Sequence, residues 1–537
     1  MTRALLIVPH FWDPVCVPLG VASLRAYAVR AGHEAILFDF NTVPEVFQAQ
    51  RLYFEEVKRQ LPEWRQWNIE RNGTEALAMH QMLYLHARAR PDYRELVAEV
   101  LNIADVPLDT VAARINVAPF DAIFSALYAR VLRILEQLLE DVQPDVIGCS
   151  LFNSTWAATL FLLRRAKTLR PQARTVVGGP GPVMGIAADV QEVTAFYESH
   201  SFIDYYVVGE GERAFMRVLD EPDLPLGVIA PSSLKTADTS EVSSIRMVDI
   251  PDPDYGELDI ASYMQLSIAS SRGCPFACSF CAETIFWDGF RRNDATATAE
   301  QMIRLAKRYG RRSFYLCDSL ANPVIDGIST ALLASGEQMQ FDAYLRADKS
   351  CLKPERAARW HDAGLFRARL GMESASQRIL DDMVKMTTPA IMAQALRALT
   401  SGGVRTSTLW IVGYANETAS EFEDTLAYIR EHRDHIFDAD AWLFQYHRTG
   451  LAGSSKLEGH TGSKPRFSRE LTGILGVDAH VIDDGMSPGD RCDRLARFVS
   501  HMAEQGIPNP YSMAEWRQAD ERWSALGYRS RPGLGAL

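Results

Sequence analysis

Residues 265–283 read QLSIASSRGCPFACSFCAE. The opening QLSIASS is a short run of apolar and small polar side chains that breaks at Gly273 and Pro275, as a buried strand does when it enters a turn. Cys274, Cys278 and Cys281 follow at separations of four and three residues, so three thiols sit on one tight loop after a strand. Structural zinc almost always takes four protein ligands. With no fourth Cys or His nearby, the set fits an iron-sulfur cluster with one iron left open better than a closed zinc site. Zinc or a purely structural loop is the alternative. Three of the chain's eight cysteines crowd into this window, which argues for metal over a disulfide framework. Cys317 and Cys351 read as small buried residues.

Downstream, the same strand and helix alternation continues through SFYLCD (313–318), FDAYLRA (341–347), RARLGM (367–372), TSTLWIVG (406–413) and DADAWLFQ (438–445). Six such units predict a parallel α/β layer over 264–449, open or curled into a partial (β/α)6 barrel. Parallel sheets present ligand sites at strand carboxyl ends. Those ends carry Asp318, Ser319 and Asn322, then Arg346 and Asp348, then Glu373, then Gly413 and Glu417. Each has a plainer reading: Asp318 or Glu373 as a helix N-cap, Arg346 as the partner of Asp348. Trp442, Tyr446 and His447 near the last strand read as an aromatic core cluster or as pocket lining. Residues 450–537 open with a Gly- and Ser-containing loop and become mainly helical, a region expected to face substrate.

Upstream, RALLIVP (3–9), a helical pattern from Pro18 to Ala31, and a run from Glu34 to Phe38 begin another alternation. It resumes at PDVIGCS (144–150), ARTVVG (173–178) and IDYYVVG (203–209). This predicts a doubly wound, Rossmann-like α/β domain over 1–220. Residues 42–140, rich in Leu, Ala, Glu and Arg, read as a helical insertion capping the sheet's ligand edge. The Pro- and Asp-rich stretch 221–263 reads as a linker. The strand ends and the turns after them carry Pro18, Leu19 and Gly20; Asp39; Ser150, Asn153 and Ser154; Gly178, Gly179 and Pro180; and Gly209, Glu210 and Gly211. Glycines there let a bulky ligand approach the backbone, though a phosphate would want them too. No GxGxxG follows the first strand and no GxxxxGK[ST] occurs, so nicotinamide, flavin or P-loop binding has little support. His10 reads as a strand-end histidine bonded to backbone.

RGCPFACSFCAE, with its CxxxCxxC spacing and Phe280 before the last cysteine, resembles the signature of radical S-adenosylmethionine enzymes. The N-terminal segments PLGVASLRAYAVRAGHEAILFDFN, DVIGCSLFNSTWAA, VVGGPGP and VVGEGERAF resemble the cobalamin-binding class of that superfamily. The resemblance implies that Cys274, Cys278 and Cys281 hold a 4Fe-4S cluster whose open iron chelates S-adenosylmethionine. It places Phe280, Asp318, Ser319, Arg346 (methionine carboxylate), Glu373 (ribose) and Gly413 (adenine) around that cofactor, and the N-terminal strand-end residues named above around cobalamin. No DxHxxG loop is present, so no histidine ligand to cobalt is expected. One electron from an external donor would yield a 5′-deoxyadenosyl radical, which removes a substrate hydrogen before methylcobalamin delivers a methyl group. The implied activity is methylation of an unactivated carbon of a small molecule or peptide. A cobalamin-dependent rearrangement or cyclisation, and a non-catalytic corrinoid or iron-sulfur binding protein, are the alternatives.

Across 537 residues, 56 Lys and Arg face 68 Asp and Glu, a formal charge of -12. Such a balance leaves no long basic surface for nucleic acid. No stretch approaches the roughly 18 apolar residues of a membrane span, and MTRALLIVPHFWDP reads as a buried first strand rather than a leader. A cytoplasmic enzyme with no membrane partner is expected.

Overall fold

The computed structural model describes residues 1–11, 15–60, 73–102, 108–180, 198–231, 240–242, 244–281, 283–287, 289–444, 446, 462–476, 480–508 and 513–528. They divide into two compact units, one of Met1–Tyr263, Ile285–Asp288 and Pro465–His480, the other of Met264–Thr284, Gly289–Lys464 and Val481–Leu537.

The first unit is built on seven parallel strands: β1 (Arg3–Val8), β2 (Glu34–Asp39), β3 (Val146–Ser150), β4 (Arg174–Gly178), β5 (Tyr205–Val207), β6 (Gly227–Pro231) and β7 (Ser240–Val242), in the order β2-β1-β3-β4-β5-β6-β7. Helices α1 (Leu19–Arg30), α2 (Pro44–Gln60), α3 (Thr74–Ala87), α4 (Tyr93–Leu101), α5 (Leu108–Arg114), α6 (Ala118–Val142), α7 (Trp156–Leu169) and α8 (Gly211–Asp220) complete it. The continuous apolar run of β1 follows from a strand covered on both faces. The strand order reverses between β1 and β3, so the crevice at their carboxyl ends is the topological switch point where doubly wound sheets take ligands.

The insertion is helical as expected, from α2 to α6, and shares one core with the sheet. Tyr53, Phe120, Phe124, Tyr128 and Leu135 of the insertion join Leu5, Ile7, Ile147 and Leu151 of the sheet in one buried cluster. Helix α3 packs against the short turn Asn153–Thr155 that leaves β3, which puts insertion residues at the sheet's ligand edge. His10 is fully buried there between Phe11, Phe40 and Tyr128, and neither ring nitrogen bonds to backbone. Burial pulls its pKa down to about 4, so the ring is neutral.

The Pro- and Asp-rich stretch 221–263 does more than connect. It adds β6 and β7 to the sheet, and its acidic residues strap it to α1: Arg25 reaches Asp254 at 3.4 Å and also pairs with Glu257. The Tyr263 hydroxyl donates to Asp39 Oδ2 at 2.5 Å.

In the second unit, β8 (Leu266–Ile268) leads into a small ribbon of β9 (Ser271–Arg272) and β10 (Arg291–Arg292). Then come β11 (Ser313–Leu316), β12 (Gln340–Leu345), β13 (Leu365–Glu373), β14 (Arg405–Val412) and β15 (Asp438–Leu443). The six-stranded parallel sheet runs in sequence order, β15-β14-β13-β12-β11-β8, with a helix in each crossover from β11 onward, among them α9 (Ile325–Ser335), α10 (Pro354–Ala363), α11 (Pro389–Ser401) and α12 (Ala419–His432). Sequential parallel order with helical crossovers is the wall of a partial barrel. One face carries charge: Asp342 accepts from Arg367 and Arg369 at 3.0 Å each, and those cations overcome the burial that would otherwise protonate it. Two C-terminal helices, α13 (Pro488–Glu504) and α14 (Met513–Ala525), pack against the strands, with Trp516 and Trp523 meeting Phe366 and Phe437.

Candidate functional site

The three cysteines lie on the loop after β9, and the strand-end residues read from sequence hold that loop in place. The buried Asp318 carboxylate accepts the Ser270 amide at 3.1 Å and hydroxyl at 2.6 Å, and the Ser271 hydroxyl. Burial raises its pKa, and those hydrogen bonds offset part of the rise. Ser319 donates to Glu283 Oε2 at 2.6 Å, two residues past Cys281. Asp318 and Ser319 thus clamp the start and the end of the cysteine loop. Within it, the Cys281 amide donates to Cys278 O at 3.1 Å, and Ser279 bonds to Met383 O, Asp382 O and the Tyr414 hydroxyl.

All three thiols are free of disulfides. Burial raises Cys274 and pushes Cys281 up to about 12, so holding them as thiolates requires a compensating cation. Among the described residues, no three His, Cys, Asp or Glu side chains converge on a point suited to a single metal ion.

Arg346 is the cation closest to this loop in the hydrogen-bond network. Its guanidinium stacks on Phe276 at 4.0 Å and reaches Cys278 Sγ at 3.7 Å. The Asn322 side chain fixes its backbone from both sides, accepting the Arg346 amide at 2.8 Å and donating to its carbonyl at 3.0 Å. Asp348 caps the turn 349–351 through the Ser350 amide instead of pairing with Arg346. The Arg346 Nη2 nitrogen is buried with no protein partner, which fits a site for an anionic ligand. Cys351 is buried beside it and donates to Arg346 O, a packing role.

Glu373 ends β13 at a bulge, with φ of 64°. Its Oε1 lies 2.6 Å from Lys385 Nζ, a buried pair that sequence reasoning missed. Gly413 takes φ of 72° at the end of β14, which favours glycine. Its amide donates to Glu417 Oε2 at 3.2 Å, and its carbonyl accepts Arg491 Nε at 3.1 Å. Arg491 on α13 is itself held bidentate by Asp484 at 2.8 and 2.7 Å. Neither Arg491 nor Asp484 carried a sequence signal, because their relation to β14 exists only in the fold. Phe280 packs with Tyr414, Tyr446 and Ile379. Trp442 is 38% exposed, and His447 lies outside the described residues.

At the first unit's switch point, Ser150 and Ser154 are half-buried, Asn153 and Gly20 exposed, Leu19 half-buried and Pro18 buried. Space beside Gly20 is open, while a Cβ on Gly179, at φ of 124°, would strike Leu151 O at 2.6 Å. Gly178, Pro180, Gly209 and Gly211 are half-buried along the same edge. These small residues, hydroxyls and amides suit a large polar ligand lying on backbone. Two candidates are engaged within the protein: Asp39 with Tyr263, and Glu210, whose Oε2 accepts the Ile245 amide at 3.0 Å. Burial raises the Asp39 pKa to about 6 against the pull of Tyr263 and Asn41.

The described helices include none long and apolar enough to cross a membrane. The radical SAM superfamily matches residues 268–429, and the B12 binding domain matches residues 97–219. The chain is similar to the anaerobic magnesium-protoporphyrin IX monomethyl ester cyclase of Cereibacter sphaeroides, 26% identical over 54% of this chain and 50% of that one. It is also similar to the cobalamin-dependent radical SAM methyltransferase TokK of Streptomyces tokunonensis, 23% identical over 55% of this chain and 46% of that one. These matches span about half the length of the relatives. In fold it resembles the radical S-adenosylmethionine methyltransferase TsrM of Kitasatospora setae, solved with cobalamin and an iron-sulfur cluster, with a TM-score of 0.58 at 13% identity over 98% of this chain and 99% of that one.

Proposed function

Because the chain belongs to the cobalamin-binding radical S-adenosylmethionine enzymes, we propose that it methylates an unactivated carbon of a small molecule or peptide. The observation that carries this reading is the pairing of two parallel sheets with the two site chemistries. A three-thiol loop beside a buried guanidinium with one nitrogen left without a protein partner stands at strand carboxyl ends of one unit, and a small-residue switch point stands in the other.

Bound, the cluster with S-adenosylmethionine supplies a 5′-deoxyadenosyl radical and cobalamin supplies the methyl group. The chain's own residues bind and orient. Cys274, Cys278 and Cys281 would hold the cluster, with Asp318, Ser319 and Ser279 fixing the loop that presents them. Arg346 would take the methionine carboxylate on its free nitrogen. Glu373 would meet ribose hydroxyls and the Gly413 backbone the adenine, while Phe280 shields one side. Holding each cofactor on rigid strand ends fixes its orientation, which is the protein's contribution to such chemistry.

Anaerobic reconstitution with iron, sulfide and hydroxocobalamin, followed by desalting and metal analysis, tests this first. About four irons and one cobalamin per chain support the reading, and methyl-labelled S-adenosylmethionine then reports transfer in a substrate screen. Iron without cobalamin sinks the methyltransferase. A second reading, cyclisation without net methyl transfer, is favoured by the similarity to the magnesium-protoporphyrin cyclase; label recovered in methionine, with 5′-deoxyadenosine formed and the substrate left unlabelled, would support it.

A further inference from the structure

Lys385 is 7% exposed, and its ammonium lies 2.6 Å from Glu373 Oε1. The same nitrogen stands 5.5 Å from the centre of the Phe280 ring, the residue before Cys281. The backbone around it is specialised. Val384 and Met386, on either side, both have φ of 52°, a left-handed conformation rare for a β-branched residue. Three parts of the site hold this turn. Ser279, beside Cys278, donates its amide to Met383 O at 3.0 Å, Thr387 donates to Ala347 O at 2.9 Å next to Arg346, and Lys385 bonds Glu373. A Cβ on Gly371 would fall 2.4 Å from Glu373 Oε1 and 2.9 Å from Lys385 Nζ, so the glycine leaves the room the pair occupies.

A buried ammonium loses hydration and is kept only where fixed negative groups face it. Here one such group is Glu373, and the ammonium also faces the Phe280 ring on the cysteine loop. We propose that Lys385 is a positioning residue that serves two parts of the site at once. Its ammonium orients the Glu373 carboxylate toward the nucleoside of S-adenosylmethionine and places a fixed positive charge beside the Phe280 side of the cysteine loop. This rests on the reading of that loop as the cluster site. A fixed cation favours the more negative, reduced state of a nearby cluster, so Lys385 makes reduction easier in addition to holding the nucleoside contact.

Three reconstituted variants test it: Lys385→Met, Lys385→Arg, and Lys385→Met combined with Glu373→Gln, which removes the unpaired carboxylate the single change leaves and so protects folding. Each is measured for iron content, S-adenosylmethionine affinity by equilibrium dialysis, and cluster midpoint potential by a redox titration followed by electron paramagnetic resonance. With iron content unchanged, both Met variants bind S-adenosylmethionine about tenfold or more weakly. Their reduction equilibrium shifts about tenfold against the reduced state, about 59 mV for one electron, and Lys385→Arg recovers the potential. The proposal is overturned by Met variants that keep full iron and match the wild type in both affinity and potential. Wild-type protein that takes up no iron overturns the cluster reading and this inference with it, and is told apart by the metal analysis alone.

Discussion

Arg346 and Asp39 show how far a side chain's job can be read from its place in the sequence. Both end parallel strands, where ligands bind. Arg346 has the signature of a ligand contact: buried, stacked on Phe276, one nitrogen without a partner. Lysine keeps the charge but loses the planar fork and the stacking. Arg346→Lys should therefore weaken S-adenosylmethionine binding by one to two orders of magnitude, the loss of about 1.5–3 kcal/mol in a charge-assisted hydrogen bond, with iron content unchanged. Equilibrium dialysis of the reconstituted variant checks this, and unchanged affinity would remove Arg346 from the site. Asp39 is instead spent on Tyr263 and the Asn41 amide. Its pKa stands near 6 in the fold against 3.8 unfolded. The folded state therefore holds the proton more tightly, and stability falls as pH rises from about 4 to about 6 and stays reduced above that. Asp39→Asn should gain stability over the wild type as pH rises from 4.5 to 7, by about 2 kcal/mol at the upper end, with cobalamin uptake unchanged. Denaturant titrations at the two pH values decide it, and a difference that does not change with pH would refute the assignment. The cysteine loop is legible because three cysteines at close spacing after a strand are a local pattern. Lys385 is not, because a buried lysine has no local signature and its partner lies across a bulge.

Strands were the most legible elements, since a short apolar run bounded by turn residues reads the same in any context; β1 to β5 and the six barrel strands fall on the segments quoted from sequence. The strands β6 and β7 were missed because they sit in a Pro- and Asp-rich stretch whose acidic residues read as solvated, whereas in the fold they face Arg25. The end of β14 makes a prediction at this scale. Gly413 holds a left-handed backbone while α13 presses on it through Arg491, whose Cγ would lie 2.8 Å from a Cβ placed there. Gly413→Ala must both strain the backbone and displace Arg491. A loss of about 1–3 kcal/mol in unfolding free energy follows, together with weaker S-adenosylmethionine binding. Arg491→Ala should reproduce the weaker binding without the backbone strain, because the Gly413 carbonyl loses its donor and Asp484 its partner. If denaturant titration and dialysis find Arg491→Ala neutral in both respects, α13 does not support this strand.

For the whole molecule, the division into units does not follow the chain. The sequence after Gly450 reads as one C-terminal region, yet Pro465–His480 belongs with the first unit and Val481 onward with the second. The reason is packing. In the helix Arg469–Leu475, Leu471 and Leu475 are buried in the same core as Leu83, Leu96 and Trp156, and Phe467 joins them. Ser468 donates to Glu99 through its amide and hydroxyl, Arg90 pairs with Glu470, and the Trp156 indole donates to Leu475 O at 3.4 Å. No periodicity within 465–476 announces which distant surface will cover those two leucines, so this part of the fold could not be read from sequence. Burying a leucine contributes about 2–5 kcal/mol against alanine in a core, so Leu471→Ala should lower the stability of the cobalamin-binding unit by that order, although it lies 229 residues from the end of that unit's sheet at Val242. Unfolding followed by cobalamin release should shift to lower denaturant, while the iron-sulfur absorbance, which reports the second unit, persists to its wild-type midpoint. Loss of the iron-sulfur signal ahead of cobalamin would instead place the helix in the second unit and refute the division.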